Sequence, residues 1–268
     1  MLSASEIAAI HAAVRAAGDQ FLPDFRRQPV PQTMPELQAR LTDIEAQCMA
    51  ALQGTLAAAF PATPWLAADE FGLSAEATDL PAEYWLCDAM DGAIQYVQQL
   101  PGWTINLVLM RQSAPVFATI YDPLAQELFW AQAGAGAFVN ETPLHPSTKR
   151  EPSVMVAVFE HTHGLDEDVA LRQRVSAGLA TLLATYGVVR NYGPHGLQLA
   201  YLGAGRLDVF LQVGRDLENW LPGLLIAREA GAEVLTATGQ PWHWAADSLL
   251  VTAPGLGTTF APAQLPAY

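Results

Sequence analysis

The stretch Tyr84-Trp85-Leu86-Cys87-Asp88-Ala89-Met90-Asp91-Gly92-Ala93 limits the possible folds more than any other part of the chain. Large apolar residues stop abruptly at a charge, which predicts a short buried strand. Asp88 and Asp91 then fall on the turn at its carboxyl end, where α/β sheets usually place their chemistry. Two carboxylates held that close repel each other unless a hard cation lies between them, and oxygen ligands suit Mg²⁺ or Ca²⁺. A helix starting near Gly92 would add free N–H groups as an anion seat. A cation beside an anion seat is the minimum equipment for hydrolysing a phosphate ester.

Asp-x-x-Asp-Gly alone also reads as an ordinary acidic turn. Two further features separate the readings. Asp69 and Glu70 form a second acidic pair after another apolar approach, Trp65-Leu66-Ala67-Ala68. A long apolar segment from Trp103 to Met110 follows, as a strand fed from the same site would.

With these motifs the chain resembles the inositol monophosphatase family of Mg²⁺-dependent, lithium-sensitive phosphatases. That family carries a strand ending Trp-x-x-Asp-Pro-x-Asp-Gly-Thr, and residues 85–93 are similar to it. The similarity continues through Val116–Pro123, Gly134–Asn140, Gly203–Asp208 and Glu229–Ala232. It implies an α/β (α+β) fold, the layered α-β-α-β-α sandwich of the inositol monophosphatase and fructose-1,6-bisphosphatase type. It also implies a division near residue 150: an N-terminal α+β half (1–150) carrying the acidic motifs, and a C-terminal α/β half (151–268) completing the cleft. The implied cofactor is Mg²⁺, with Mn²⁺ as a substitute, and the implied activity is hydrolysis of a small phosphate monoester by metal-activated water. Family members act on inositol phosphates, sugar bisphosphates, histidinol phosphate and phosphoadenosine phosphate, and dimers are common among them.

The implied metal ligands are Asp69, Glu70, Asp88, Asp91 and Asn219, with Asp69 and Asp91 also in catalysis. The implied substrate contacts are Gly92, Ala93, Gly193, Pro194, His195 and Gln212. In the family an aspartate near the start of the second helix orients the attacking water, and Asp43 is the nearest match. Asp43 reads equally well as a solvated helix position.

Composition narrows the partners. The net charge is −14, and of 13 basic residues only Lys149 is a lysine. Such a surface repels nucleic acid, whose binding needs clustered positive charge. It also repels anionic substrates at long range, so a cation would have to supply local attraction. Apolar residues make up 51% of the 268, enough for a sizeable core. Cys48 and Cys87 sit in apolar segments and read as small buried hydrophobes in a reducing compartment. No basic, hydrophobic leader opens the chain and no apolar run reaches spanning length, so a cytoplasmic protein without membrane contact is expected.

In chain order, Ser3-Ala4-Ser5-Glu6 predicts a capping box and a helix to about Ala17, ended by Gly18. Leu37, Leu41, Ile44, Cys48, Leu52 and Leu56 predict a second helix. Strands are expected at 103–111, 115–121 and 127–132 as an antiparallel meander. Another runs from Val154 to Phe159 and ends in Glu160-His161-Thr162-His163-Gly164, where the two histidines read as a polar loop, a metal pair or, from their place at a strand end, a substrate contact. Helices follow at 166–186, from about 197 and up to 230, with strands at 188–190, 207–213, 232–235 and 248–252.

Several positions depart from the family pattern. The threonine that follows Asp-Gly is Ala93, which cannot position water, and losing one such group costs on the order of 10²–10⁴ in rate. The aspartate of the family's Trp-Asp-x-Ala-Ala-Gly is Asn219, preceded by Glu218, so the site loses a full charge there. Asp69 is a methylene shorter than the family's glutamate, a substrate-binding carboxylate aligns with Gln212, and Pro194-His195 replaces Ser/Thr-Ala. Two readings stay open. One is a divergent phosphatase in which Glu218, Asp216 or Glu70 supplies the lost charge. The other is a phosphatase-shaped protein that no longer turns over ordinary phosphate monoesters and binds a metabolite, binds a partner or runs altered chemistry.

Overall fold

The computed structural model describes residues 1–67, 80–162, 165–191 and 193–257. Two helices open the chain, α1 (Ala4–Asp19) and α2 (Met34–Leu56). Seven strands follow: β1 (Trp65–Ala67), β2 (Glu83–Asp91), β3 (Thr104–Arg111), β4 (Ala114–Asp122), β5 (Glu127–Gln132), β6 (Ala137–Val139) and β7 (Thr142–Pro143). They form one sheet in sequence order, antiparallel except for the parallel β1–β2 pair. A five-residue helix, α3 (Ala93–Val97), interrupts the path from β2 to β3.

The second sheet has five strands in the order β11 (Glu233–Leu235), β12 (Ser248–Thr252), β10 (Val209–Val213), β8 (Val156–His161) and β9 (Val188–Arg190). Its helices are α4 (Val169–Thr185), α5 (His195–Gly203) and α6 (Leu217–Glu229). The path between the sheets runs through residues 144–155.

Burial explains the layering. In β2, Trp85 and Cys87 face the core of α1 and α2, whereas Tyr84 and Leu86 face a second core shared with α5 and α6. The strand is apolar on both faces because helices cover both, so no polar alternation shows in its sequence. Residues of α5 and α6 pack against both sheets, and α4 covers the far face of the second one. The result is α-β-α-β-α, as the resemblance implied.

Three local expectations needed correction. The capping box at Ser3–Glu6 forms, but α1 runs through Gly18 and is capped at Gln20. Gly18 is there for clearance: a Cβ would stand 2.7 Å from Pro123 Cγ and 2.8 Å from Tyr121 Cδ1. The strand from Val154 starts two residues later, after a 3₁₀ turn at Pro152–Val154, and runs on to His161. Most consequentially, β2 does not end before the charges. It continues to Asp91, with a bulge between Asp88 and Asp91 in its pairing with β3.

Candidate functional site

A cleft of about 770 Å³ opens where the ends of β2 and β8 meet α2 and the start of α5. Along β2, side chains alternate, so Asp88 continues the row of Tyr84 and Leu86, the face turned toward α5 and α6. The bulge then re-aims the strand, as bulges beside sites commonly do. Asp91 is 5% exposed. Its Oδ2 accepts the Asn106 Nδ2–H at 2.9 Å and the Gly196 N–H at 3.2 Å, tying β2 to the first turn of α5. Gly92 follows at φ +82°, where a Cβ would stand 2.5 Å from the Gly102 carbonyl oxygen. Only glycine allows the chain to turn this sharply from β2 into α3.

The cleft is acidic. Glu45, Asp88, Asp91 and Glu160 line it, and no lysine or arginine is among the described lining residues. Asp88 is pushed up to about 7, first by burial and then by the negative charges of Asp216, Glu45 and Glu218. Asp91 is raised well above the usual carboxylate range by burial and by Asp88, although its bonds from Gly196 and Asn106 oppose the shift. Carboxylates that resist ionisation next to one another show a local deficit of positive charge.

The C-terminal half supplies the opposite wall. Glu160, at the end of β8, is 6% exposed. Its Oε1 accepts the Gly193 N–H at 2.9 Å and Gln198 Nε2–H at 2.6 Å. His195, the first residue of α5, lies between two carboxylates, with Nε2 3.6 Å from Glu160 Oε2 and Nδ1 3.6 Å from Asp216 Oδ2. Asp216 in turn accepts from Gln212 Nε2 at 3.1 Å and from Asn219 Nδ2 at 2.7 Å.

The residues expected from the sequence divide accordingly. Asp88, Asp91, Gly92, Ala93, Gly193, Pro194, His195 and Asn219 all line the cleft. Asp69 and Glu70 lie outside the described residues, and so does His163. His161 lines the cleft, its Nδ1 3.0 Å from the carbonyl oxygen of Thr162. Asp43 does not reach the cleft: it is exposed on α2 and accepts from Gln47 Nε2 at 2.8 Å. Glu45 lines it instead, one helical turn beyond Leu41, which also lines it. Gln212 is fully buried behind the wall, donating to Asp216 and accepting from Trp220 Nε1 at 2.6 Å, so it supports Asp216 and does not face a ligand. Sequence reasoning missed Glu45 and Glu160. The signal for Glu45 was its phase with Leu41, and for Glu160 a lone acid following an apolar run near a strand end, as Asp88 follows one in β2.

Among the described residues, no three His, Cys, Asp or Glu side chains converge closely enough to hold a metal ion by themselves. The donors present still fit a hard divalent cation in part: two carboxylates with raised proton affinity, and the Asn219 side-chain oxygen, its amide nitrogen being bonded to Asp216.

A two-sheet, three-helix-layer sandwich with an acidic cleft at its strand ends defines the class of fold. More particularly, residues 5–265 match the inositol monophosphatase family, and the chain belongs to that family. The chain is 28% identical over 178 residues to the Nus factor SuhB of Xylella fastidiosa, an alignment covering 63% of this chain and 62% of that protein. It is 33% identical over 160 residues to the inositol-1-monophosphatase of Rhizobium meliloti, covering 59% and 58%. The chain thus aligns with less than two thirds of the length of each. The crystal structure of the extragenic suppressor protein suhB from Bartonella henselae superposes with a TM-score of 0.80 at 21% identity, covering 98% of both chains. At that identity the likeness concerns the fold. No helix among the described residues is long and apolar enough to cross a membrane.

Proposed function

We propose that the protein is a Mg²⁺-dependent phosphatase acting on a small phosphate monoester, with reduced activity on inositol phosphates. The observation that carries this reading is the half-buried Asp88 beside the buried Asp91, in a cleft lined by four carboxylates and, among the described residues, by no lysine or arginine. Such a cleft repels a phosphate unless a cation is bound first. Asp88 and Asp91 would hold Mg²⁺, with Asn219 and the 69–70 pair completing the set. A bound divalent cation supplies charge neutralisation for the phosphoryl oxygens and a nucleophile at neutral pH.

The chain's own residues define the rest. Asp91 is oriented by Asn106 and by the Gly196 amide, so its position is set before a cation arrives. The amides at Gly92 and Ala93 lie beside it, on the cleft wall where the phosphate would sit. Ala93 offers no hydroxyl, which is why slow turnover is expected. Relatives named Nus factor SuhB keep the alternative of a partner-binding protein in view, and the two readings make different predictions.

Phosphate release from a panel of monoesters, with and without Mg²⁺, separates them. Mg²⁺-dependent release that the double change Ala93→Thr with Asn219→Asp raises at least ten-fold supports a weakened phosphatase (a restored water-positioning group contributing on the order of 10²–10⁴-fold when fully effective). No release from any ester by either protein would leave the binding reading.

A further inference from the structure

We propose that His195 is the general acid of this site, delivering a proton to the departing alcohol oxygen while Glu160 holds its ring in place. The inference rests on the phosphatase reading and deepens it.

The geometry is that of an oriented imidazole. Glu160 sits at the floor of the arrangement and is fixed by the Gly193 amide and by Gln198, both bonds from neutral donors. Its second oxygen, Oε2, faces His195 Nε2 at 3.6 Å. That nitrogen is closed off from solvent and has no hydrogen-bond partner within normal range. A small closure of the ring toward Glu160 would satisfy it, as dyad bonds commonly tighten only when a ligand is present. The other nitrogen, Nδ1, faces Asp216, whose charge acts on both Asp88 and Asp91. Nδ1 thus lies on the Asp216 side of the ring and Nε2 on the Glu160 side. The side chain is 18% exposed, enough to meet a ligand in the cleft and too little to be a surface residue.

The position also matches a need. The turn carrying His195 packs against α3, where a Cβ on Gly193 would stand 2.8 Å from Gln95 Nε2. Position 93, at the start of the same α3, is an alanine and can exchange no proton. His195 is thus an imidazole on the cleft wall facing Ala93, where the side chain carries no exchangeable proton. The titratable groups around it are Glu160 on β8, Asp216 before α6, His161 at the end of β8, and Asp88, Asp91 and Glu45 elsewhere in the cleft.

The step balances as follows. The water oxygen forms a bond to phosphorus, and the bond from phosphorus to the ester oxygen breaks. Its electron pair stays on that oxygen, which takes the proton from Nδ1 of the imidazolium. One water proton is released to solvent, and the neutral imidazole regains a proton from solvent before the next turnover. In this scheme Glu160 is a positioning residue.

The test uses leaving groups of different quality, since a general acid matters for an alkoxide and hardly at all for a stable phenolate. The full chain with Mg²⁺ is assayed on glycerol 2-phosphate and on p-nitrophenyl phosphate. His195→Gln should lower kcat on the alkyl ester about 10²-fold or more and on the aryl ester only several-fold. Glu160→Gln should show the same split with a smaller amplitude. His195→Ala should regain alkyl-ester turnover when free imidazole is added, which gives a readout even where a bulkier replacement disturbs the fold. Equal losses on both esters, or no loss on either, would overturn the role of His195 and leave the phosphatase reading standing. If the wild-type protein releases phosphate from neither ester, the phosphatase reading falls and this inference with it.

Discussion

Two sets of acidic side chains in this molecule behave in opposite ways. Away from the cleft, carboxylates are matched to donors. Asp208, fully buried, accepts from Lys149 Nζ at 2.9 Å and from the Val156 N–H at 2.8 Å. Glu229 accepts the Gly134 and Gly136 amides at 2.9 and 3.0 Å, fastening the β5–β6 connection to α6. Glu233 does the same with Gly255 and Gly257 at the far end. In the cleft, by contrast, Asp88 meets Asp216, Glu45 and Glu218, all of its own sign. The first set joins distant segments and stabilises the fold; the second costs stability unless a cation arrives. A negative chain with one lysine can place that lysine against a buried structural acid, and here it does so rather than in the cleft.

The largest expected effect follows from the matched set. Asp208→Asn removes the charge that pairs with Lys149 and weakens the bond from Val156, so denaturant unfolding should show a loss of about 2–4 kcal/mol. Unchanged stability would mean that the Lys149–Asp208 pair does not fasten the connecting segment to the second sheet.

The cleft set should respond in the opposite direction. In chelator-treated protein, Asp88→Asn should raise stability at pH 8 by on the order of 2 kcal/mol, because the neutral amide avoids the burial of a charge and the repulsion of Asp216, Glu45 and Glu218. The sign follows from a folded value of about 7 against roughly 3.9 for a free aspartate. Between those limits the folded form binds the extra proton, so its contribution is complete below pH 4 and lost as pH rises through 7. The gain from Asp88→Asn should therefore shrink as the pH falls from 7 toward 4. Thermal unfolding over that range checks it, and a variant less stable at pH 8 would place Asp88 with the matched set.

How much of this the sequence showed depends on whether local pattern or tertiary approach decided each feature. The Trp85–Ala93 stretch, the β3–β5 meander and the capping box at Ser3 were legible, because apolar runs and caps are local signals. Gly18 was misread because a glycine that ends a helix and one that admits Tyr121 and Pro123 look alike until the sheet is in place. Asp43 and Glu45 differ by two positions on one helix, and only the phase set by Leu41 shows which enters the cleft. Gln212 was matched to a ligand contact, yet its position on β10 buries it beneath Asp216. The bracket of Glu160, His195 and Asp216 joins three segments distant in sequence, and no spacing rule could show it.

The central claim is that negative side chains gather in this cleft to hold a divalent cation. Titrating the chelator-treated protein with Mn²⁺, followed by electron paramagnetic resonance, tests it most directly. Saturable binding is expected, abolished by Asp88→Asn and by Asp91→Asn, weakened by Glu45→Gln and unaltered by Asp43→Asn. Absence of saturable binding in the wild-type protein, or equal binding in the Asp88 and Asp91 variants, would contradict the account.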